Sequence, residues 1–217
     1  MNSPSPILIT GIPRSGSSMI AATINLCGAF AGGLSKRGMY CNDRIREELV
    51  KPYFKVVGSD PDAQKSFPGF IVTPINWKDE VERIISEEGY NEGPWMYKDS
   101  RMCQMWPVWD KAYSDAKWII VRRRTGDIIE SCLKTGYMTA YSDRDGWLSM
   151  VHEYEQRFVE MVTEGLNCKV IWPERMVNGD FQQLYETLDW LGLSWDSRAL
   201  SFIEPLLWGS RLKERRK

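Results

Sequence analysis

The chain has 217 residues, 28 of them basic and 29 acidic, and ten tryptophans. That length suits a single domain, 1–217, with ample core, and the balanced charge argues against bulk binding of nucleic acid. Five scattered cysteines (27, 41, 103, 132 and 168) lack metal-like spacing and point to reduced thiols in a cytoplasmic setting. The opening MNSPSP has no charged region leading into a long apolar one, so no signal peptide is expected. No apolar run approaches the length of a membrane span.

The first predicted element is Ile7, Leu8, Ile9 and Thr10, an apolar β-branched run that reads as a strand buried on both faces. Gly11, Pro13 and Gly16 then form a turn, and a helix follows over residues 19–26, entered through Ser17 and Ser18. Strand, tight loop and helix start together make a geometry that binds phosphate. The first amides of a helix have no partner within it, and they point out at its positive end. Ser15, Ser17 and Ser18 add hydroxyl donors, and the glycines let the backbone come close to an anion.

This loop departs in one informative way from G-x-x-x-x-G-K-[ST], the phosphate loop of nucleotide triphosphatases. Gly11, Gly16 and Ser18 fit, but Ser17 stands at the lysine position and the cation is Arg14. The guanidinium fork suits a bidentate oxyanion contact. A magnesium-dependent enzyme also needs an acid on a neighbouring strand, whereas the strongest strand, 118–121, runs into Arg122, Arg123 and Arg124. The site is therefore read as one that holds an anion with arginine and needs no metal.

Further along, residues 28–36 read as a mobile Gly-rich loop, 43–53 as a short helix, and 58–74 as irregular. Helices are predicted over 78–88, 104–113, 125–134, 146–163 and 181–191, and strands over 95–98, 118–121 and 169–172. Strands alternating with helices imply a three-layer α/β/α fold around a mostly parallel sheet. Ligands of such sheets sit beyond the carboxyl ends of the strands, which places Arg14, Lys98 and Arg123 on one rim. Three cations from three strand ends suit a polyanion. Trp95, Trp106, Trp109 and Trp118 read as core. Tyr137, Tyr141 and Trp147 lie in a looser stretch, where they either pack or stack on a sugar or aromatic acceptor.

The segment Pro13-Arg14-Ser15-Gly16-Ser17-Ser18 resembles the 5'-phosphosulfate loop of the sulfotransferases, P-[KR]-S-G-[ST]-[ST]. Arg123, Asp127 and Ser131 fall on that family's R-x-P-x-D-x-x-x-S frame, with Thr125 in place of proline. Lys98-Asp99-Ser100-Arg101 is similar to the K-D-P-R of bacterial members, and residues 170–195 resemble the family's tail. The resemblance spans nearly the whole chain. It implies a P-loop-like sulfotransferase fold, the donor 3'-phosphoadenylyl sulfate (PAPS), the product adenosine 3',5'-bisphosphate (PAP), and no metal. It further implies a small-molecule, sugar or lipid acceptor with a hydroxyl or amine.

On this reading Pro13, Arg14, Ser15, Gly16, Ser17, Ser18 and Met19 hold the 5' end of the nucleotide, while Arg123 and Ser131 hold the 3'-phosphate. Arg14 and Lys98 are the candidates to stabilise charge developing on the 5'-phosphate oxygen. A base for the acceptor proton is also expected. The family often carries a glutamate near where Cys41 stands here. Asp43 is the first choice, with helix capping as its alternative role. Asp99, which could instead pair with Arg101, is second, and His152 is read as structural. A small-molecule kinase of the same fold and a non-catalytic nucleotide-binding relative are the competing functions.

Overall fold

The computed structural model describes residues 5–33, 39–65, 67, 69 and 71–203. Residues 1–4 of the opening segment, 34–36 of the Gly-rich loop, Gly38 beside Cys41, and Pro68 of the irregular stretch lie outside these. Four strands, β1 (Ile7–Gly11), β2 (Met96–Lys98), β3 (Lys117–Val121) and β4 (Cys168–Ile171), form one sheet of order β2-β1-β3-β4. Every pairing in it is parallel. The registers Ile9 with Lys98, Gly11 with Val121 and Val121 with Ile171 bring the carboxyl ends of all four strands to one edge.

Eight helices accompany the sheet among the described residues: α1 (Ser17–Leu26), α2 (Lys51–Val56), α3 (Trp77–Glu87), α4 (Trp106–Ala112), α5 (Thr125–Leu133), α6 (Arg144–Thr163), α7 (Pro173–Val177) and α8 (Gln182–Leu191). Because side chains alternate along a strand, each face of the sheet nucleates its own core. Ile7, Ile9, Ile119 and Val121 pack under Ile20 and Ile24 of α1, Met176 of α7 and Leu184 and Leu188 of α8. Leu8, Trp118 and Ile120 pack on the other side with Val108 and Trp109 of α4 and Trp147, Tyr154 and Phe158 of α6. The three-layer expectation is met.

The tryptophan excess has a place in the second core. Tyr97 stacks on Trp109 with ring centroids 5.1 Å apart, and Trp77 meets Trp109 edge-on at 5.5 Å. Trp147 is fully buried against Tyr141 at 5.2 Å, so it is packing and not an acceptor platform.

Three local features differ from the sequence reading. The helix expected over 43–53 starts at 43 but runs as a π-type turn over Ile45–Val50 before α2. Pro52 in the first turn of α2 has no N–H and crowds the preceding carbonyls, which favours the wider turn. The short α7 begins on Pro173, a residue whose fixed φ suits a first helical position. The start of the Gly-rich loop is not free, because Phe30 bridges to Trp95 and its carbonyl accepts from the Met96 amide at 2.8 Å. No described helix is long and apolar enough to cross a membrane.

Candidate active site

The loop between β1 and α1 turns through two left-handed residues, Arg14 at φ 74° and Gly16 at φ 94°. Only glycine adopts this conformation freely, so Arg14 stores backbone strain at this turn. Gly16 caps α1 with no side-chain acceptor, which leaves the first amides of the helix open to an anion. Gly11 is required by space, because a Cβ there would lie 2.6 Å from Ser15 Oγ and 2.7 Å from the Val121 carbonyl oxygen. The Ser15 hydroxyl is fully buried beside it and has no hydrogen-bond partner among the described residues.

Lys98 ends β2 and reaches toward the start of α1. Its Nζ donates to Ser18 Oγ at 3.3 Å and to the Met39 carbonyl at 3.1 Å, and Ser18 Oγ donates to the same carbonyl at 3.0 Å. Burial pulls the Lys98 ammonium below its ordinary value. Strand alternation sends its neighbours Tyr97 and Asp99 to the other face. There the buried Asp99 carboxylate accepts from the Arg101 amide at 2.9 Å, from Arg101 Nη1 at 3.0 Å and from the Tyr97 hydroxyl at 3.0 Å. Burial alone would raise the Asp99 carboxyl, but Arg101 and Lys98 together hold it below its ordinary value. Asp99 is thus the partner of Arg101, the alternative that the sequence left open.

The Cys41 thiol lies 3.6 Å from Asp99 Oδ2. Burial first, and then the Asp99 charge, push it up to about 12, so at neutral pH it is a thiol and cannot accept a proton. Asp43 does not cap the following helix. That role falls to Asn42, whose Oδ1 accepts from the Ile45 amide at 3.0 Å. Asp43 pairs instead with Arg46 at 2.5 Å, and among the described contacts none joins it to Lys98, Ser18 or Arg14. His152 is exposed on α6, lining a surface hollow with Glu155, Gln156, Val159 and Glu160, none of them a residue of the rim.

The run of three arginines after β3 divides by direction. Arg122 pairs with Glu155 and lies over the Trp172 ring at 5.4 Å. Arg124 pairs with Glu174 at 3.3 Å. Arg123 turns to the β1–α1 loop, where its Nη1 donates to the Arg14 carbonyl at 3.0 Å. Arg14 in turn crosses to α5, donating from Nε to Ser131 Oγ at 2.9 Å. Its Nη1 donates to the Tyr137 hydroxyl at 2.7 Å.

The structure therefore groups Arg14, Arg123 and Ser131 at one point and Lys98 with Ser18 at another. It leaves Asp43 and His152 outside both groups, and Ser15 beneath the loop. Tyr137 is a member of the first group. The sequence offered it either as packing or as a stacking residue in a looser stretch, and no spacing rule connects it to Arg14.

No family model and no curated protein matches the chain in sequence. Solved structures do match it in fold. A sulfotransferase domain from the olefin synthase of Synechococcus superposes with a TM-score of 0.59 at 16% identity, over 98% of this chain and 80% of that one. A sulfotransferase from Mycobacterium tuberculosis superposes with a TM-score of 0.56 at 13% identity, over 93% of this chain and 71% of that one. The chain has the fold of the sulfotransferases.

Proposed function

We propose that this protein is a PAPS-dependent sulfotransferase, acting as one cytoplasmic domain on the hydroxyl or amine of a small-molecule, sugar or lipid acceptor. The observation that carries the reading is the rim itself. Three strand–helix units carry two groups of donors, Arg14 with Arg123 and Ser131, and Lys98 with Ser18 at the uncapped start of α1, on a fold shared with sulfotransferases. The same residues suit a nucleotide with phosphates at both ends.

PAPS supplies an activated sulfuryl group. The protein's part is electrostatic. Lys98 and the first amides of α1 face the end of the loop where the 5'-phosphate would lie. Donors fixed there stabilise negative charge that grows as the sulfuryl bond breaks, more than they stabilise the ground state. Pro13, Ser17 and Met19 shape the loop and the first turn around it. Arg123 and Ser131 are the residues for the 3'-phosphate, a terminal monoester with three acceptor oxygens.

Heat stability in the presence of nucleotides tests the reading. PAP should raise the melting temperature well above AMP, ADP or ATP, all compared without magnesium. Ligand at a hundred times its dissociation constant adds roughly 2.7 kcal/mol. If ATP with magnesium stabilised the protein more than PAP did, the phosphoryl-transfer reading would replace this one.

Asp43 remains the proposed base. Asp43→Asn should abolish the acidic limb of the pH–rate profile, since an amide cannot take up the acceptor proton. A variant running at full rate at every pH would remove Asp43 from the reaction.

A further inference from the structure

We propose that Glu88 is a positioning residue for Lys98, its carboxylate clasping the two ends of the segment 33–42 that lays the Met39 carbonyl on the Lys98 ammonium. The role in transfer rests on the sulfotransferase reading; the clasp itself does not. Glu88 stands at the carboxyl end of α3, where a negative charge is unfavourable because that end of the helix dipole is itself negative. Its neighbour Glu87 pairs with Arg44 at 2.8 Å and Arg83 at 3.0 Å, whereas no cation pairs with Glu88 among the described residues. Its partners are two N–H donors of the segment. Oε2 accepts from the Gly33 amide at 2.9 Å and from Asn42 Nδ2 at 2.5 Å. The Gly33 carbonyl accepts in turn from the Asp43 amide at 3.1 Å. The approach is close enough to need glycine. A Cβ on Gly32, at φ 65°, would run into Glu88 Oε2 and Asn42 Nδ2, and one on Gly33 would lie 2.8 Å from Oε1.

What the clasp holds is the partner of Lys98. The Asn42 side chain is fixed at both its atoms, since its Oδ1 caps the Ile45 amide. Before it, the buried Cys41 lies against Asp99 and Tyr97. Tyr40 takes a left-handed φ of 49°, a conformation that a tyrosine keeps only where its surroundings impose it. Its ring meets Phe202 edge-on at 5.6 Å. This turn delivers the Met39 carbonyl to Lys98 Nζ and Ser18 Oγ. A lysine ammonium has three donors on a flexible stem. Met39 and Ser18 take two of them and leave the third for an oxygen of the sulfuryl donor. The carbonyl also favours the charged form of a lysine that burial works against. Among the described contacts none joins Glu88 to Lys98 itself, so Glu88 acts on the ammonium through Asn42 and Met39.

Lysine labelled with carbon-13 at Cε lets NMR follow the titration of Lys98, its signal assigned by its absence from Lys98→Ala. In Glu88→Ala the midpoint should move to lower pH, because the ammonium loses a fixed acceptor. Glu88→Asp keeps the charge but falls one methylene short, and should move the midpoint the same way. Glu88→Gln loses the charge but keeps an oxygen for the Gly33 and Asn42 donors, and should titrate as the wild type does. Cys41, Asp99, Arg101 and Arg46, the other groups that act on the ammonium, are the same in every variant. Turnover of PAPS to PAP should follow the titration. Its kcat should fall about tenfold in Glu88→Ala, with the dissociation constant for PAP changed by less than about twofold. Adding Glu88→Ala to Lys98→Ala should cost nothing further, since the two act as one unit. A midpoint unmoved in Glu88→Ala and Glu88→Asp, or moved equally in Glu88→Gln, would overturn the assignment. So would a tenfold loss that persists once Lys98 is gone. A wild type that bound PAP no better than AMP would overturn the sulfotransferase reading, and the role of Glu88 in transfer with it, while the titration would still decide whether Glu88 holds Lys98.

Discussion

Lys98→Ala is expected to lower the rate of sulfuryl transfer about a hundredfold or more, with a much smaller effect on nucleotide affinity. Removing one donor from a developing oxyanion typically costs roughly 3–4 kcal/mol of transition-state stabilisation. The geometry favours the upper part of that range. Lys98 is buried, its Nζ is held by Ser18 and the Met39 carbonyl, and it stands where the uncapped α1 amides also converge. A charge in a site that excludes water acts with less screening than one on the surface. Burial also lowers the ammonium's pKa, so the free protein should lose the charged form of Lys98 at a lower pH than an exposed lysine would. Steady-state kinetics with and without saturating donor separate the outcomes. A fall in kcat with KM held marks a role in the transition state. A rise in KM alone would make Lys98 a binding residue.

The second large effect is on stability. Asp99→Asn should destabilise the fold by about 3–5 kcal/mol, the usual result of removing one partner from a buried ion pair. The carboxylate is enclosed by Arg101, Tyr97 and Cys41, and the asparagine would leave the Arg101 guanidinium without its counter-charge. Arg101 also ties Asp99 to the turn at Pro61, so the damage should extend to the wall that carries Gln64 and Tyr137.

The pH dependence follows from the direction of the shift. The folded Asp99 carboxyl lies below its unfolded value. Its contribution to stability is therefore complete above the ordinary aspartate range and disappears as the pH falls through the folded value. Urea unfolding of the wild type should weaken as the pH drops below about 4, and Asp99→Asn should remove much of that dependence. A variant within about 1 kcal/mol of wild type at neutral pH would show that the network around Arg101 compensates.

The sequence by itself determined what depends on local pattern. The apolar β-branched run of β1, the glycines of the loop and the start of α1 follow from residues within a few positions of one another. The same holds for the third strand and its arginines, where the resemblance to the family's R-x-P-x-D-x-x-x-S frame selects Arg123. In the structure Arg122 and Arg124 are occupied by Glu155 and Glu174, and Arg123 turns to the Arg14 carbonyl. The parallel sheet and its rim also follow, because alternating strands and helices leave few topologies.

What only the tertiary structure decided depends on groups far apart in the chain. Arg14 meets Ser131 and Tyr137 across more than a hundred residues, and no periodicity encodes which rotamer a long side chain adopts. The choice between Asp99 as a base and Asp99 as an ion-pair partner was settled by burial, which places Tyr97, Cys41 and Arg101 around one carboxylate. Asn42 rather than Asp43 caps the next turn, a difference of one residue that spacing cannot resolve. Trp147, in a stretch that reads as loose, is fully enclosed because the long α6 carries it into the core. Local pattern sets the elements and the polarity of the rim. Packing decides which polar groups meet there, because a buried charge or donor must take the partners that neighbouring elements bring to it.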